Sequence, residues 1–256
     1  MIKKWTIAIP ELTGKTRRKV YVYIPDEARR NPDARYPVLY MFDGHNVFFD
    51  SDATYGKSWG MAHYMKTTQT PMIIAAVECN HSPDGGRLRE YSPFTFTNPK
   101  LGYIEGRGKI TMEWFVNSFK PFIDEHFPTL PDRRHTFIAG SSMGGLMSLY
   151  ALMEYNHIFS RAAALSPSLW FATGQLDRML SHAPVSPDTV LYMDYGSREL
   201  SNHSNMKQQF SRVSAKLLNR GVMLTCRIVP GGEHSEASWQ RQLPIVISTL
   251  MYGVES

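Results

Sequence analysis

The alternation of strand-like and helix-like segments restricts the fold of this chain more than any other sequence feature. Eight apolar or alternating segments are typical of strands, at residues 5–9, 19–24, 38–42, 72–77, 135–139, 162–165, 190–195 and 223–229. Five segments have helical spacing, at residues 57–68, 111–126, 143–155, 201–220 and 237–252. This alternation predicts an α/β fold with a mostly parallel sheet of about eight strands and helices on both faces. No helix separates the first two strands, so we expect an antiparallel hairpin at the sheet edge.

One junction of this pattern has the spacing of a nucleophile. Residues 137–146 have the sequence FIAGSSMGGL, in which Gly140, Ser142 and Gly144 form a Gly-X-Ser-X-Gly motif. The bare motif also occurs in ordinary Gly/Ser turns. Here it lies between a buried strand and a helical segment, the setting in which a tight turn lifts a serine hydroxyl clear of its own backbone. We therefore interpret Ser142 as a nucleophile.

Composition and length favour a single α/β domain spanning residues 1–256. The chain is 43% hydrophobic and 20% charged, which is ordinary for a globular protein. Residues 1–10 have no apolar stretch typical of an export signal, and no run has the length of a membrane span. The expectation is a cytoplasmic protein with no membrane association.

Charge and motifs make several partners unexpected. The net charge is +5, but basic residues are scattered and their largest cluster is only 15–19. There is no phosphate loop or dinucleotide motif, and the glycine-rich 102–108 follows no strand, which indicates a flexible loop. We expect no cofactor, no metal and no nucleic acid partner; a homo-oligomer stays open. Cys79 and Cys226 are interpreted as buried free thiols.

The segment 78–108 is unusually long for a connection. It is rich in Gly, Pro, Asn and Arg, and loops of this length after a parallel strand often build substrate pockets. A disordered surface excursion is the alternative.

A serine nucleophile in such a turn is followed along the chain by an acid and then by a histidine base. Of nine histidines, this order leaves His182, His203 and His234. His234 directly follows the last strand and two glycines, which allow the loop to bend over the sheet. His234 is therefore the predicted base.

The acid has two candidates at the end of the seventh strand, Asp194 and Glu199. A carboxylate in the turn has more freedom to reach sideways than one still in the strand, which favours Glu199. Asp194 remains the alternative.

Attack of a serine on a carbonyl group also needs hydrogen-bond donors for the negative charge that develops on the carbonyl oxygen. The backbone N–H of Met143, directly after the nucleophile, is one predicted donor. The loop after the third strand supplies the other through the N–H of His45, next to Gly44. The His45 side chain contacts substrate in one interpretation and is structural in the other.

With these residues placed, the chain resembles the esterase D family of α/β-hydrolases from about residue 20 to 250. This group includes feruloyl esterases, S-formylglutathione hydrolases, siderophore-ester hydrolases and mycolyltransferases. The resemblance rests on the following marks: LYMFDG at 39–44 with Asn46 and Phe48, GSSMGGL at 140–146, LSPSLW at 165–170, Gly196 with Glu199, and GEH at 232–234 with Trp239. It implies an α/β-hydrolase fold and a Ser142–His234–Glu199 triad with oxyanion donors at His45 and Met143.

Three further residues are predicted to contact substrate. Trp170 follows a strand end and is interpreted as an aromatic pocket wall, with a core tryptophan as the alternative. Arg87 and Arg89 lie in the long loop, as arginines do in siderophore hydrolases. The sequence thus predicts a serine carboxylesterase for small acyl or aromatic, feruloyl-like esters. The alternatives are a siderophore trilactone esterase and a non-hydrolytic acyltransferase or binding module.

Overall fold

The computed structural model describes residues 1–98, 100–201 and 205–254. In chain order its strands are β1 (Ile2–Ala8), β2 (Arg17–Tyr23), β3 (Val38–Met41), β4 (Ile73–Val77), β5 (Phe96–Asn98), β6 (Gly102–Ile104), β7 (Thr136–Ser141), β8 (Arg161–Leu165), β9 (Val190–Gly196) and β10 (Met223–Val229). All eight predicted strands are confirmed, with ends shifted by at most three residues.

The eight long strands form one sheet in the order β1-β2-β4-β3-β7-β8-β9-β10. β2 pairs antiparallel with both β1 and β4, and every other neighbouring pair is parallel. This confirms the mostly parallel sheet with an antiparallel pair at its edge. The expectation that no helix lies between the first two strands was wrong, because a single helical turn, Pro10–Thr13, connects them. The carboxyl ends of β3, β7, β9 and β10 lie at one edge of the sheet, where the loops that follow them meet.

The helices are α1 (Pro10–Thr13), α2 (Met61–Thr68), α3 (Gly86–Glu90), α4 (Gly108–Trp114), α5 (Lys120–His126), α6 (Met143–Glu154), α7 (Thr173–His182), α8 (Met206–Asn219), α9 (Glu236–Gln240) and α10 (Leu243–Met251). A π-helical turn, Phe115–Phe119, joins α4 and α5 into the single helical segment that the sequence predicted. The predicted helix at 237–252 is two helices. Pro244 lies in the first turn of α10, where its missing N–H costs no hydrogen bond, and it disfavours continuation from α9.

Apolar side chains fill a layer on each face of the sheet. One layer packs helices α4 to α8 against the sheet, and the other packs α2 and α10. All six residues of β7 are buried, as is every residue of α6 from Met143 to Met153. The strand and helix that flank Ser142 are thus held by the core on all sides, which makes the turn between them rigid.

The segment 78–108 is more ordered than the sequence indicated. It contains α3 and a small antiparallel hairpin in which Phe96 pairs with Ile104. The interpretation of 102–108 as a flexible loop was wrong, because β6 pairs with β5 and α4 begins at Gly108.

The two cysteines are free, as expected, but they differ in exposure. Cys79 is buried directly after β4. Cys226 is exposed on β10, an edge strand with only β9 as neighbour, so the prediction of a buried thiol there was wrong.

Candidate active site

Ser142 lies in the tight turn between β7 and α6. Its backbone has φ 59° and ψ −121°, a strained region for a residue with a side chain. The turn is held by the Ser142 N–H, which donates to Leu165 O at 2.9 Å, and by Ser142 O, which accepts the N–H of Ser168 at 3.1 Å. A Cβ on Gly140 would lie 2.7 Å from the backbone of Gly144, so this close turn requires glycine. The local geometry is that of a nucleophile elbow.

His234 lies in the loop between β10 and α9. Its Nδ1 is 2.6 Å from Oε2 of Glu199. An ionised carboxylate only accepts hydrogen bonds, so Nδ1 carries the proton and Nε2 is left as an acceptor. The ring meets Trp239 edge-on, with centroids 5.1 Å apart. The orientation and tautomer of the imidazole are therefore set by its neighbours.

Glu199 is buried, with only 1% of its surface exposed. Its Oε1 accepts hydrogen bonds from Ser166 Oγ at 2.7 Å and from the Gly196 N–H at 2.8 Å. Burial acts to raise the pKa of Glu199, but the hydrogen bonds from His234, Ser166 and Gly196 outweigh it and hold the pKa below its ordinary value. The side chain is thus an ionised, fixed acceptor.

Asp194, the other candidate acid, is equally buried but faces different partners. Its Oδ2 accepts from the hydroxyl of Tyr192 at 2.7 Å, and its Oδ1 accepts from the Ser166 N–H at 3.2 Å. Burial raises the pKa of Asp194 to about 6. Of the two carboxylates, it is Glu199 that contacts His234.

The loop after β3 approaches the same edge of the sheet. Asp43 has a left-handed backbone with φ 54°, and its carboxylate accepts hydrogen bonds from Nε and Nη2 of Arg87, each at 2.7 Å. A Cβ on Gly44 would lie 2.8 Å from the backbone of Val77, so the loop packs directly on the end of β4. His45 and Met143 each lie in the first turn of a helical segment, where the backbone N–H has no intrahelical acceptor. Both groups therefore remain available as donors.

A cavity of about 610 Å³ joins these loops. Its lining residues include Ser142, His234, His45, Arg87 and Trp239, together with residues of the segment 79–88. The long loop thus builds part of the cavity wall, as one of the two interpretations of segment 78–108 expected.

Two acidic residues in this cavity were not candidates from the sequence: Asp43, which pairs with Arg87, and Glu236. Glu236 accepts a hydrogen bond from Asn46 Nδ2 at 3.2 Å, and burial raises the pKa of its carboxyl group. Its position two residues after the predicted base His234 could have indicated that it lies near the site. The order of serine, acid and histidine along the chain assigns no role to that position.

The remaining candidates lie elsewhere. Trp170 packs edge-on against Phe171, and neither it nor Arg89 belongs to the described lining of the cavity. Arg89 pairs with Asp84 at 2.7 Å. His182 is at the exposed end of α7, where Nδ1 faces Arg178 O, and His203 lies outside the described residues.

The chain matches a known protein family over most of its length. The model of an esterase family, described as "Putative esterase", matches residues 12–248. The chain belongs to this esterase family. Membership makes it a carboxylesterase-type hydrolase, and the sheet described above is that of the α/β-hydrolase fold.

The individual relatives have low sequence identity to this chain. The uncharacterized protein YbbA of Bacillus subtilis is 22% identical over 88% of this chain and 89% of its own length. A siderophore triacetylfusarinine C esterase of Aspergillus fumigatus is 25% identical over 53% of this chain and 45% of its own. A crystal structure of an IroE-like serine hydrolase from Shewanella oneidensis superposes with a TM-score of 0.76 at 20% identity, covering 96% of this chain and 79% of that one. Among the described residues, no helix has the length and apolar character that crossing a bilayer requires.

Proposed function

We propose that this esterase is a serine carboxylic ester hydrolase that works through an acyl-enzyme intermediate. Ser142 is the nucleophile, His234 the general base and Glu199 the acid that orients it. The observation that carries the proposal is the 2.6 Å contact between Glu199 and His234, in a loop that lines one cavity with the strained Ser142.

In the first half of the reaction, Ser142 Oγ attacks the ester carbonyl carbon while Nε2 of His234 takes the hydroxyl proton. The resulting imidazolium is stabilised by the carboxylate of Glu199. The backbone N–H groups of Met143 and His45 donate to the oxyanion, each contributing about 3 kcal/mol to the barrier reduction. The imidazolium then protonates the leaving alcohol, which leaves the acyl group on Ser142.

In the second half, His234 accepts a proton from water, and the hydroxide attacks the acyl carbon. The same backbone N–H groups stabilise the oxyanion that forms in this step. The proton returns to Ser142 as the acid leaves. Glu199 keeps its charge throughout, in agreement with its lowered pKa.

The cavity of about 610 Å³ suits small acyl or aromatic esters. Trp170 and Arg89 take no part in this proposed pocket. Arg87 lines it, but Nε and Nη2 of Arg87 already bind both carboxylate oxygens of Asp43. We therefore assign Arg87 to holding the loop at residues 42–46, which carries the proposed donor His45 and is here called the oxyanion loop.

A siderophore trilactone is the second candidate substrate. Its support is the Aspergillus fumigatus relative, whose name describes a siderophore esterase. A second cavity, of about 430 Å³, is lined by Arg17, Arg18, Arg89 and Arg107 and shares residues 79–82 with the first. Arginines at this position favour a negatively charged ligand. A non-catalytic binding module is less favoured, because Glu199 and His234 are paired as a catalytic triad requires. A non-hydrolytic acyltransferase would use the same pairing, so it stays a third candidate.

The decisive experiment is turnover of p-nitrophenyl acetate by Ser142→Ala. We expect kcat to fall by at least about a thousandfold, since only the oxyanion donors and binding remain. Ser141→Ala is the matched control: this neighbour ends β7 without the positive φ of Ser142, and we expect it to keep most of the activity. The proposal is wrong if Ser142→Ala retains more than about a tenth of the wild-type kcat.

A further inference from the structure

A group of metal-ligating side chains lies on the wall of the active-site cavity. His45, Cys79 and His81 each offer one ligand atom, and these atoms lie within 4.8 Å of one another. Cys79 and His81 come from the segment directly after β4, whereas His45 comes from the oxyanion loop after β3. The Gly44 contact with the end of β4 brings these two segments together.

Both imidazoles are held by oxygen atoms on the far side of the ring. Nε2 of His45 is 3.0 Å from Thr54 Oγ1, and Nε2 of His81 is 3.4 Å from Oε1 of Glu78. Oxygen partners of this kind commonly orient metal-binding histidines. They leave Nδ1 of each ring for another partner.

The two Nδ1 atoms have little else to bind. His45 is only 3% exposed, and its Nδ1 is buried without a hydrogen-bond partner among the described residues. Nδ1 of His81 is 4.0 Å from Sγ of Cys79. A buried ring nitrogen without a partner is costly unless a ligand satisfies it.

We propose that His45, Cys79 and His81 form a binding site for a borderline-soft divalent metal ion of the zinc type. Two imidazoles and one thiolate are the donor set that Zn²⁺ and Co²⁺ favour, and three protein ligands leave a fourth position open. With metal–nitrogen and metal–sulfur bonds of about 2.0 and 2.3 Å, the ligand atoms of two histidines and one cysteine lie roughly 3.3–3.5 Å apart in a tetrahedral site. The three side chains therefore need to close by no more than about 1.5 Å, and the exposed His81 has the freedom to do so.

Metal binding at this site exchanges a proton for the ion. A cysteine binds a metal ion as the thiolate, so the Cys79 thiol gives up its proton on binding. When the sulfur–metal bond forms, that proton goes to solvent and the ion loses a bound water. The ion would lie on the wall that Ser142 and His234 share with these residues, so we expect it to narrow the cavity. The site does not depend on the esterase mechanism.

Titration of the purified, metal-free protein with Co²⁺ tests this site. A thiolate-to-cobalt charge-transfer band in the near ultraviolet should saturate at one ion per chain, and Zn²⁺ should displace it. Cys79→Ser should abolish the band, and His81→Asn should weaken Co²⁺ binding by about tenfold or more. Because His81 is exposed, its variant keeps the test valid even if the buried Cys79 substitution fails to fold.

Two control variants distinguish this site from adventitious binding. Cys226→Ser removes the exposed thiol and His63→Asn removes an exposed histidine far from Cys79 in sequence, and both should keep the wild-type band and affinity. The proposal is overturned if the wild-type protein gives no band, or if Cys226→Ser removes it. Since absorbance is measured without substrate, an inactive esterase would not affect the result.

Discussion

At the residue scale, the acid of the proposed triad is a choice between two carboxylates buried to the same extent. Glu199 contacts His234, whereas Asp194 is bound to Tyr192 and Ser166. We expect Glu199→Gln to lower kcat by at least about a hundredfold with little change in KM, because an aligned imidazole matters chiefly in the transition state. Steady-state kinetics with p-nitrophenyl acetate measures both constants.

Asp194→Asn is the matched control for that substitution, since it also exchanges one buried carboxylate for an amide. It should change kcat much less than Glu199→Gln does. If the ranking of the two variants were reversed, the acid role would pass to Asp194.

Asp194 should instead affect how stability depends on pH. Its pKa of about 6 in the folded protein is above the ordinary 3.8, so the folded state holds this proton more tightly than the unfolded state. Ionisation of Asp194 therefore destabilises the fold as pH rises from about 4 to 6, by roughly 2 to 3 kcal/mol in all. Urea unfolding of wild type and Asp194→Asn at pH 4.5, 5.5 and 7 should show the wild type losing stability relative to the variant. A difference that is constant with pH would contradict this assignment.

At the element scale, the oxyanion loop depends on its close approach to β4. A methyl group at position 44 would meet the backbone of Ala76 and Val77 at 2.8 to 2.9 Å. Gly44→Ala should thus displace the His45 N–H and lower kcat by about tenfold to a hundredfold, with a smaller effect on KM. Gly174→Ala is the control, because no atom lies within 4 Å of its added Cβ and its φ is ordinary. Equal activity in both variants would show that the loop does not need this contact.

Arg87 holds the same loop through its ion pair with Asp43. The substitution Arg87→Ala leaves the Asp43 carboxylate buried without its charged partner, and we expect a loss of about 3 kcal/mol in the free energy of unfolding. Arg89→Ala breaks a pair whose Asp84 side chain is 66% exposed, and should cost less than about 1 kcal/mol. Denaturant unfolding of the two variants compares these costs. A similar small loss in both would mean that Arg87 does not fix Asp43.

Elements with strong periodicity were predictable from the sequence, because strand and helix patterns depend on neighbouring residues. The eight strands and their parallel arrangement follow from this local signal. The break before Leu243 was not predicted, because the helical pattern of apolar residues continues across it. The β5–β6 hairpin was not predicted either, because its three-residue strands are too short to give a periodic pattern. The turn around Ser142 was predictable because its glycines are required by sterics.

At the scale of the whole molecule, contacts distant in sequence limited the site prediction. The residues of the proposed triad follow a fixed chain order, so their approximate places could be predicted. The pairing of Arg87 with Asp43 joins two loops whose conformations depend on each other. No local pattern encodes that contact, which is why Arg87 was interpreted only as a substrate ligand. The same reason explains the cluster of His45, Cys79 and His81, whose members come from two loops that are distant in sequence.

The charge distribution around the two cavities gives a final test of substrate class. Arg17 and Arg107 donate to the backbone carbonyl groups of Thr6 and Glu11, so these contacts do not neutralise their positive charges. Both line the cavity next to the active site, on a chain of net charge +5. We expect kcat/KM for a negatively charged trilactone to fall several-fold between about 10 and 200 mM salt, because screening weakens attraction.

Neutral p-nitrophenyl acetate should show no such dependence, and Arg17→Gln should reduce the effect seen with the trilactone. A trilactone cleaved more slowly than feruloyl or short acyl esters, with no effect of salt, would leave the small aromatic and acyl esters as the substrate class. A strong salt effect that is lost in Arg17→Gln would instead show that the arginine-lined cavity receives the charged part of the ester. The outcome therefore decides between the two substrate classes without depending on which carboxylate orients His234.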